Sequence, residues 1–453
     1  MTAVAIVGGG MLGLTLAMRL RGAGAEVTVL EAGRTPGGLV SSQSIGGYTW
    51  DRFYHVILPG DRELIALLDS LGLGGRLRWR ATRTGFYTGD RLYSLSSRWD
   101  YLRFPVLSPL AKVRLALTLM RASRIAGGAA LEAIPVDRWL REQSGDEVFE
   151  RLWRPLLRSK LGENHRRTSA AFIWAYIRRL YGARRSVRGR ERLGYVDGGY
   201  AVVLRRLEAE LEGMGVRLRA NTPVTDVRQT EGGVEIRLPG GVERFDHVVL
   251  TVAAGRAAAL CPQLTDSERA RLSRVVYQGV ICASVLLRRP LGGFYVTNIA
   301  DSTVPFTGVV EMTALADRRA FGGLTLAYLP LYVPVDDPAW SWSDADIRAA
   351  FEPALLRMFP WLSPGDVLAF QVARAREVQA LATLHYSRDA LPPVRTSLPG
   401  VWLVNSAQIV NGTLNVNETV ALANEKGRAL ARRLVALPPA LQWEPARAAE
   451  GAG

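Results

Sequence analysis

The sequence predicts an α/β fold built on a parallel sheet buried on both faces, and three observations predict it. Residues 4–7 and 26–30 are short apolar runs separated by a glycine turn and a helical stretch, the spacing of a strand–helix–strand unit. Residues 245–254 read as a further buried strand that ends in small residues. Residues 400–434 read as a strand after a Pro-Gly turn, a loop and a closing helix. A chain of 453 residues, 48% hydrophobic and 22% charged, has the composition of an ordinary globular protein and room for two or three domains or one large composite fold.

The first unit carries the most information. After the strand at 4–7 comes Gly8-Gly9-Gly10-Met11-Leu12-Gly13, then a helix over 14–20, a turn at 22–24, and the strand at 26–30 that ends on Glu31. This is the dinucleotide-binding fingerprint in its required context. Gly8 makes the tight turn, Gly10 lets backbone approach a pyrophosphate, and Gly13 lets helix and strand pack closely. The N–H groups and dipole of the helix N-terminus hold phosphate. Glu31 stands eighteen residues after Gly13, where its carboxylate would accept hydrogen bonds from adenosine ribose hydroxyls. The motif alone does not separate NAD from FAD.

The residues after the acid do. Arg34-Thr35-Pro36-Gly37-Gly38-Leu39 adds a second glycine pair and an arginine just past Glu31. Here the chain resembles the flavoprotein superfamily of amine oxidases, protoporphyrinogen oxidases, phytoene desaturases and UDP-galactopyranose mutases. The resemblance implies FAD, with Arg34, Gly37 and Gly38 beside the flavin-side phosphate and ribitol. Cys261 and Cys282 lie in no attachment motif, so the cofactor is expected to be noncovalent. The resemblance further implies a Rossmann-type FAD-binding domain assembled from separated segments (1–59, 191–264 and 391–436). An α+β substrate domain, 60–190 and 265–390, is inserted, its first part mainly helical, and 437–453 is read as a disordered tail.

Later stretches agree with that resemblance. Residues 194–200 lead into a helix with Val203, Leu204, Leu207 and Leu211 at helical spacing, followed by 216–218 and Asn221-Thr222-Pro223-Val224. The resemblance places the backbone of Val224 on adenine, and Asn405, Asn415 and Val416 near the flavin. The closing helix runs from about Asn417 to Leu434, with Asn415 and Asn417 both suited to cap it. Its asparagine-rich start departs from the glycine-rich close of amine oxidases and is similar to a bacterial, protoporphyrinogen-oxidase-like branch.

Charge and composition exclude other classes. The formal charge of +15 is carried almost wholly by arginine, with lysine only at 112, 160 and 426, and aromatic residues are not interleaved with the basic runs as single-strand nucleic-acid binders require. No Ser-His-Asp set, HExxH or metal-ligand spacing is present. No signal peptide and no unbroken apolar window of about 18 residues is found, so a cytoplasmic protein is expected. Residues 107–125, with Lys112, Arg114, Arg121 and Arg124, read either as an internal helix or as a peripheral contact to a bilayer. The run Arg151, Arg154, Arg158, Lys160, Arg166, Arg167, Arg178, Arg179, Arg184, Arg185, Arg188 and Arg190 reads as a solvated face or as recognition of a phosphate-bearing substrate.

Three residues are catalytic candidates. His55 and Tyr54 lie in Asp51-Arg52-Phe53-Tyr54-His55-Val56-Ile57, a stretch the resemblance brings to the isoalloxazine ring, and histidine titrates near neutrality. Glu311 stands in an apolar strand within 305–313, where a carboxylate requires a partner. Tyr328, Tyr332 and Tyr386 are further pocket candidates. The expected function is FAD-dependent oxidation of a C–N, C–C or C–OH bond in a small, anionic or sugar-like metabolite by hydride transfer to flavin N5. The alternatives are a non-redox enzyme resembling UDP-galactopyranose mutase and a membrane-associated isoprenoid desaturase.

Overall fold

The computed structural model describes residues 1–185, 192–410 and 412–435, so the expected tail at 437–453 and Arg188 and Arg190 lie outside the described residues, as do the side chains of Arg184 and Arg185. A five-stranded parallel sheet runs in the order Val401–Leu403, His247–Leu250, Ala3–Val7, Glu26–Leu30, Arg217–Arg219. Four consecutive apolar residues are needed at 4–7 because both faces of this central strand are covered. Val4 and Ile6 face a core with Leu14, Leu16 and Leu20 of the helix Met11–Gly22, Val203 and Leu207 of Tyr200–Gly213, and Val420 and Leu430 of Val416–Leu434. Ala5 and Val7 face the opposite core, which Val227, Val234 and Ile236 fill from an antiparallel meander of Asp226–Thr230, Gly233–Leu238 and Gly241–Phe245. The expected single strand at 245–254 is therefore divided: Phe245 ends the meander, His247–Leu250 joins the parallel sheet, and Ala254–Leu260 is helical.

The helix Arg62–Ser70 was expected beyond the first domain boundary. Its Leu64, Leu67 and Leu68 are buried in the parallel-sheet core instead, and the Leu64 N–H donates to Asn417 Oδ1 at 3.1 Å.

A second sheet has seven strands in the order Val367–Ala380, Tyr277–Leu287, Thr325–Pro334, Gly308–Glu311, Val296–Ile299, Thr84–Thr88, Arg91–Ser94. All eleven residues of Tyr277–Leu287 are buried. Ile281, Ala283 and Val285 pack toward Ile347 and Phe351 of the helix Asp344–Met358. Val280, Cys282 and Leu286 pack on the other side with Trp50, Phe53 and Leu58. The hairpin Ser42–Ile45/Tyr48–Asp51 and the residues just after it thus join the nucleotide-binding loops to the second sheet. A helical region including Pro109–Arg124, Val136–Ser144, Arg154–Leu161 and Ala170–Arg185 packs around Trp139, Phe149 and Trp174.

Candidate flavin and substrate site

The glycine loop has the geometry its sequence requires. Gly8 has φ of +112°, and a Cβ on Gly13 would stand 2.0 Å from the Gly8 carbonyl oxygen, so only hydrogen fits there. A Cβ on Gly10 would meet nothing within 4 Å. Gly10 also precedes the helix Met11–Gly22 without any side-chain cap, which leaves the first-turn N–H groups without a side-chain partner. The second glycine pair closes on the first: the Gly37 N–H donates to the Gly9 carbonyl at 2.8 Å, and Gly37, at φ +125°, bridges Gly10.

Glu31 accepts from the Gly9 N–H at 2.7 Å through Oε2 and from the Gly33 N–H at 2.6 Å through Oε1. It therefore orders the loop while each oxygen retains a lone pair. The Thr222 N–H donates to the Glu31 carbonyl and the Asn221 N–H to that of Gly33, both at 2.8 Å, which brings the stretch before Val224 beside the acid. Val224 itself is buried among the meander residues. Arg34 is exposed and makes no ion pair among the described residues. An uncapped helix N-terminus, an open Gly10 and an ordered acid fit the ADP half of FAD.

The closing residues divide. Asn415 caps Val416–Leu434, its Oδ1 accepting from the Glu418 N–H at 3.0 Å and its amide donating to the Thr413 carbonyl at 2.6 Å. The Asn405 amide donates to the Val252 carbonyl at 2.9 Å and accepts from the Ala407 N–H at 3.1 Å. These bonds hold the loop through side chains, and Val416 is buried in the core. Cys261 and Cys282 are both buried, and burial pushes the Cys261 thiol up to about 12.

On the side of the second sheet, the His55 ring lies 5.1 Å from the Tyr200 ring, tilted at 59°, and its Nδ1 is buried with no hydrogen-bond partner among the described residues. Burial lowers its imidazole to about 4, against a smaller opposing pull from the Phe53 backbone. Asp51 accepts from the Tyr200 N–H at 2.8 Å, and burial raises its carboxyl to about 7 despite that bond. Tyr54 and Tyr332 share a hydroxyl–hydroxyl hydrogen bond, and burial raises both phenols. Tyr328 lies near them but donates to the Asp51 carbonyl at 2.6 Å. Tyr386 donates to the Ala407 carbonyl, also at 2.6 Å.

Glu311 does not join this group. Its oxygens accept the Leu291 and Gly293 N–H groups at 3.2 and 2.9 Å, so the carboxylate ties down a loop, and it makes no arginine ion pair among the described residues. Among the described members of the arginine run, Arg151 pairs with Glu147, Arg154 with Glu150, Arg158 and Arg166 with Glu163, and Arg179 with Asp61, whereas Arg178 donates to the Ala126 carbonyl.

Lys160 differs from that run. Its Nζ lies 5.4 Å from the Tyr176 ring centroid and 5.8 Å from that of Tyr332, with no acid paired to it among the described residues. Burial alone lowers its ammonium. Tyr176 donates to Gln379 at 3.3 Å. The sequence named Lys160 only as one member of the basic run and Asp51 only as part of the stretch 51–57, and it did not name Tyr176. The one available signal was the choice of lysine in a chain that otherwise uses arginine. Of the other two lysines, Lys112 donates to the Leu102 carbonyl and Lys426 pairs with Glu425.

Fold and loop geometry together define an FAD-dependent oxidoreductase. The chain belongs to the family described as flavin containing amine oxidoreductase, whose model matches residues 12–415. It is 28% identical over 398 residues to a coproporphyrinogen III oxidase of Mycobacterium tuberculosis, covering 79% of this chain and 85% of that protein. Its fold is similar to the crystal structure of a putative protoporphyrinogen oxidase from Exiguobacterium sp. 255-15, with a TM-score of 0.76, 20% identity and coverage of 95% and 99%. It is also similar to reduced UDP-galactopyranose mutase, with a TM-score of 0.72, 14% identity and coverage of 96% of each chain. Among the described residues, no helix is long and apolar enough to cross a membrane.

Proposed function

We propose that this protein oxidises an anionic organic substrate in a pocket walled by Tyr54, His55, Tyr176, Tyr332 and Lys160. The observation that carries this reading is Lys160, a lysine set over two tyrosine rings without a carboxylate partner among the described residues. A cation desolvated in this way is costly unless a ligand supplies the opposite charge. It would repel an ammonium substrate and attract a carboxylate or phosphate. FAD, when bound, accepts a hydride at N5. Around it this chain would orient the substrate through Lys160 and the Tyr54–Tyr332 pair. His55, neutral at pH 7 with Nδ1 unbonded, would take a proton or hydrogen bond from the reacting group. Oxidation is favoured over redox-neutral turnover because the Mycobacterium relative is named an oxidase, whereas the mutase is alike in fold.

The test compares benzoate and phenyl phosphate with benzylamine as perturbants of the bound-flavin absorbance. Both anions are expected to bind to the wild type at least tenfold more tightly than benzylamine. Lys160→Met should erase that preference while flavin content stays stoichiometric. Tighter binding of benzylamine would overturn the reading.

A further inference from the structure

The face formed by the helices Arg98–Arg103 and Pro109–Arg124 carries five large apolar side chains in water. Trp99 is 70% exposed, Leu102 57%, Leu110 62%, Val113 56% and Leu117 37%. Leu110, Val113 and Leu117 recur at helical spacing on the side opposite the buried Ala111, Leu115, Thr118 and Ala122. The two helices are tied together: the Lys112 ammonium donates to the Leu102 carbonyl at 2.6 Å, and Tyr101 donates its hydroxyl to the Lys112 carbonyl. Trp99 and Leu102 therefore stand beside the longer helix's outward stripe and do not form a separate patch.

The polar side chains of this face are basic. Arg114, Arg121 and Arg124 continue the outward stripe toward the helix C-terminus, and Arg98 and Arg103 flank Trp99 and Leu102. All five are exposed, and none makes an ion pair within 4 Å among the described residues. On the neighbouring helix, by contrast, Arg141 is matched to Asp146 and Glu150. Arg114 and Arg121, with Leu117, line a shallow groove against Arg141, Glu142, Gln143 and Gly145, where Glu142 is paired with Arg138.

We propose that this face docks the protein on an anionic bilayer surface, with Trp99, Leu102, Leu110, Val113 and Leu117 entering the headgroup–acyl boundary and the unpaired arginines binding lipid phosphate. Charge decides for a lipid surface over a second copy of this chain: a self-complementary contact would press five unmatched guanidinium groups against the same five, in a protein of formal charge +15. An amphipathic stripe with tryptophan and arginine is what an interfacial helix requires. The helix Pro109–Arg124 packs against Ala170–Arg185, which carries Tyr176, so the docking face lies one helix away from the proposed pocket wall.

The experiment is co-sedimentation of the flavin-loaded protein with vesicles of phosphatidylcholine alone or with about one third phosphatidylglycerol. The wild type is expected to pellet with the anionic vesicles and to stay in the supernatant with the neutral ones. Trp99→Ser combined with Leu102→Ser should lower the bound fraction at least fivefold, and Arg121→Glu combined with Arg124→Glu should do the same, both with flavin content unchanged. Wild-type protein left in the supernatant with anionic vesicles overturns the proposal. So does a Trp99→Ser, Leu102→Ser protein that still pellets fully, or one that merely converts a dimer to a monomer.

Discussion

Asp51 and His55, four residues apart, are buried groups that titrate in opposite senses. His55 is lowered to about 4 from 6.5, so its contribution to stability is complete above about 6.5 and is lost as pH falls through 4. Asp51 is raised to about 7 from 3.8, so its contribution is complete below about 3.8 and is lost as pH rises through 7. Between roughly pH 4 and 6.5 the two slopes oppose, each on the order of 3 kcal/mol in total. Removing either should expose the other. In thermal melts from pH 4 to 8, Asp51→Asn should gain stability with rising pH more steeply than the wild type. His55→Gln should lose stability over the same range. Parallel profiles for the two variants would show that neither group is buried as described. The sequence made His55 conspicuous, because the resemblance brings it to the flavin face and histidine titrates near neutrality. It gave no warning of Asp51, whose shift arises from a burial that only the folded chain creates.

The first strand–helix–strand unit separates folding from binding in a way that two glycines can test. At Gly13 a Cβ would collide with the Gly8 carbonyl at 2.0 Å, and that oxygen is fixed backbone. At Gly10 a Cβ points into open space, and φ of −72° suits any residue. Gly13→Ala is therefore expected to destabilise the flavin-free protein by about 1–3 kcal/mol, the range for overpacking. Gly10→Val should leave its melting within about 0.5 kcal/mol of the wild type yet lower flavin occupancy at least tenfold. Equal melting of the two flavin-free variants would refute the distinction. This unit was fully legible in sequence because its contacts are local, with glycine, helix and acid all inside thirty residues. The substrate wall was not legible, because Tyr54, Lys160, Tyr176 and Tyr332 meet from four separate segments. Glu311 shows the converse error. A lone carboxylate in an apolar strand signalled a need for partners, and two backbone N–H groups met it.

Over the whole molecule, the parallel sheet draws its strands from residues 3–7, 26–30, 217–219, 247–250 and 401–403, and the proposed FAD contacts come from stretches just as distant. The fingerprint loop rests on Thr251, whose hydroxyl donates to the Gly8 carbonyl at 3.0 Å, while Asn405 holds the Val252 carbonyl. The closing helix in turn packs against Met11–Gly22, where the Arg19 guanidinium donates to Asn424 Oδ1 at 2.7 Å. An unfolded chain presents none of these surfaces together, so FAD should bind the folded state alone. Linkage then sets the size of the effect: at free FAD one hundred times its Kd, stability should rise by about 2.7 kcal/mol, and by about 4.1 kcal/mol at one thousand times. Thermal unfolding of stripped protein across an FAD series should follow that logarithmic rise, and Gly10→Val should flatten it. A second requirement follows from the distance between segments. Leu403→Ala, in the edge strand contributed by the closing segment, removes a fully buried side chain and should cost about 2–5 kcal/mol. If the sheet unfolds as one unit, flavin release and loss of ellipticity in that variant should coincide at every temperature. Flavin lost well before the ellipticity would mean that the closing segment detaches while the sheet of the first 250 residues persists.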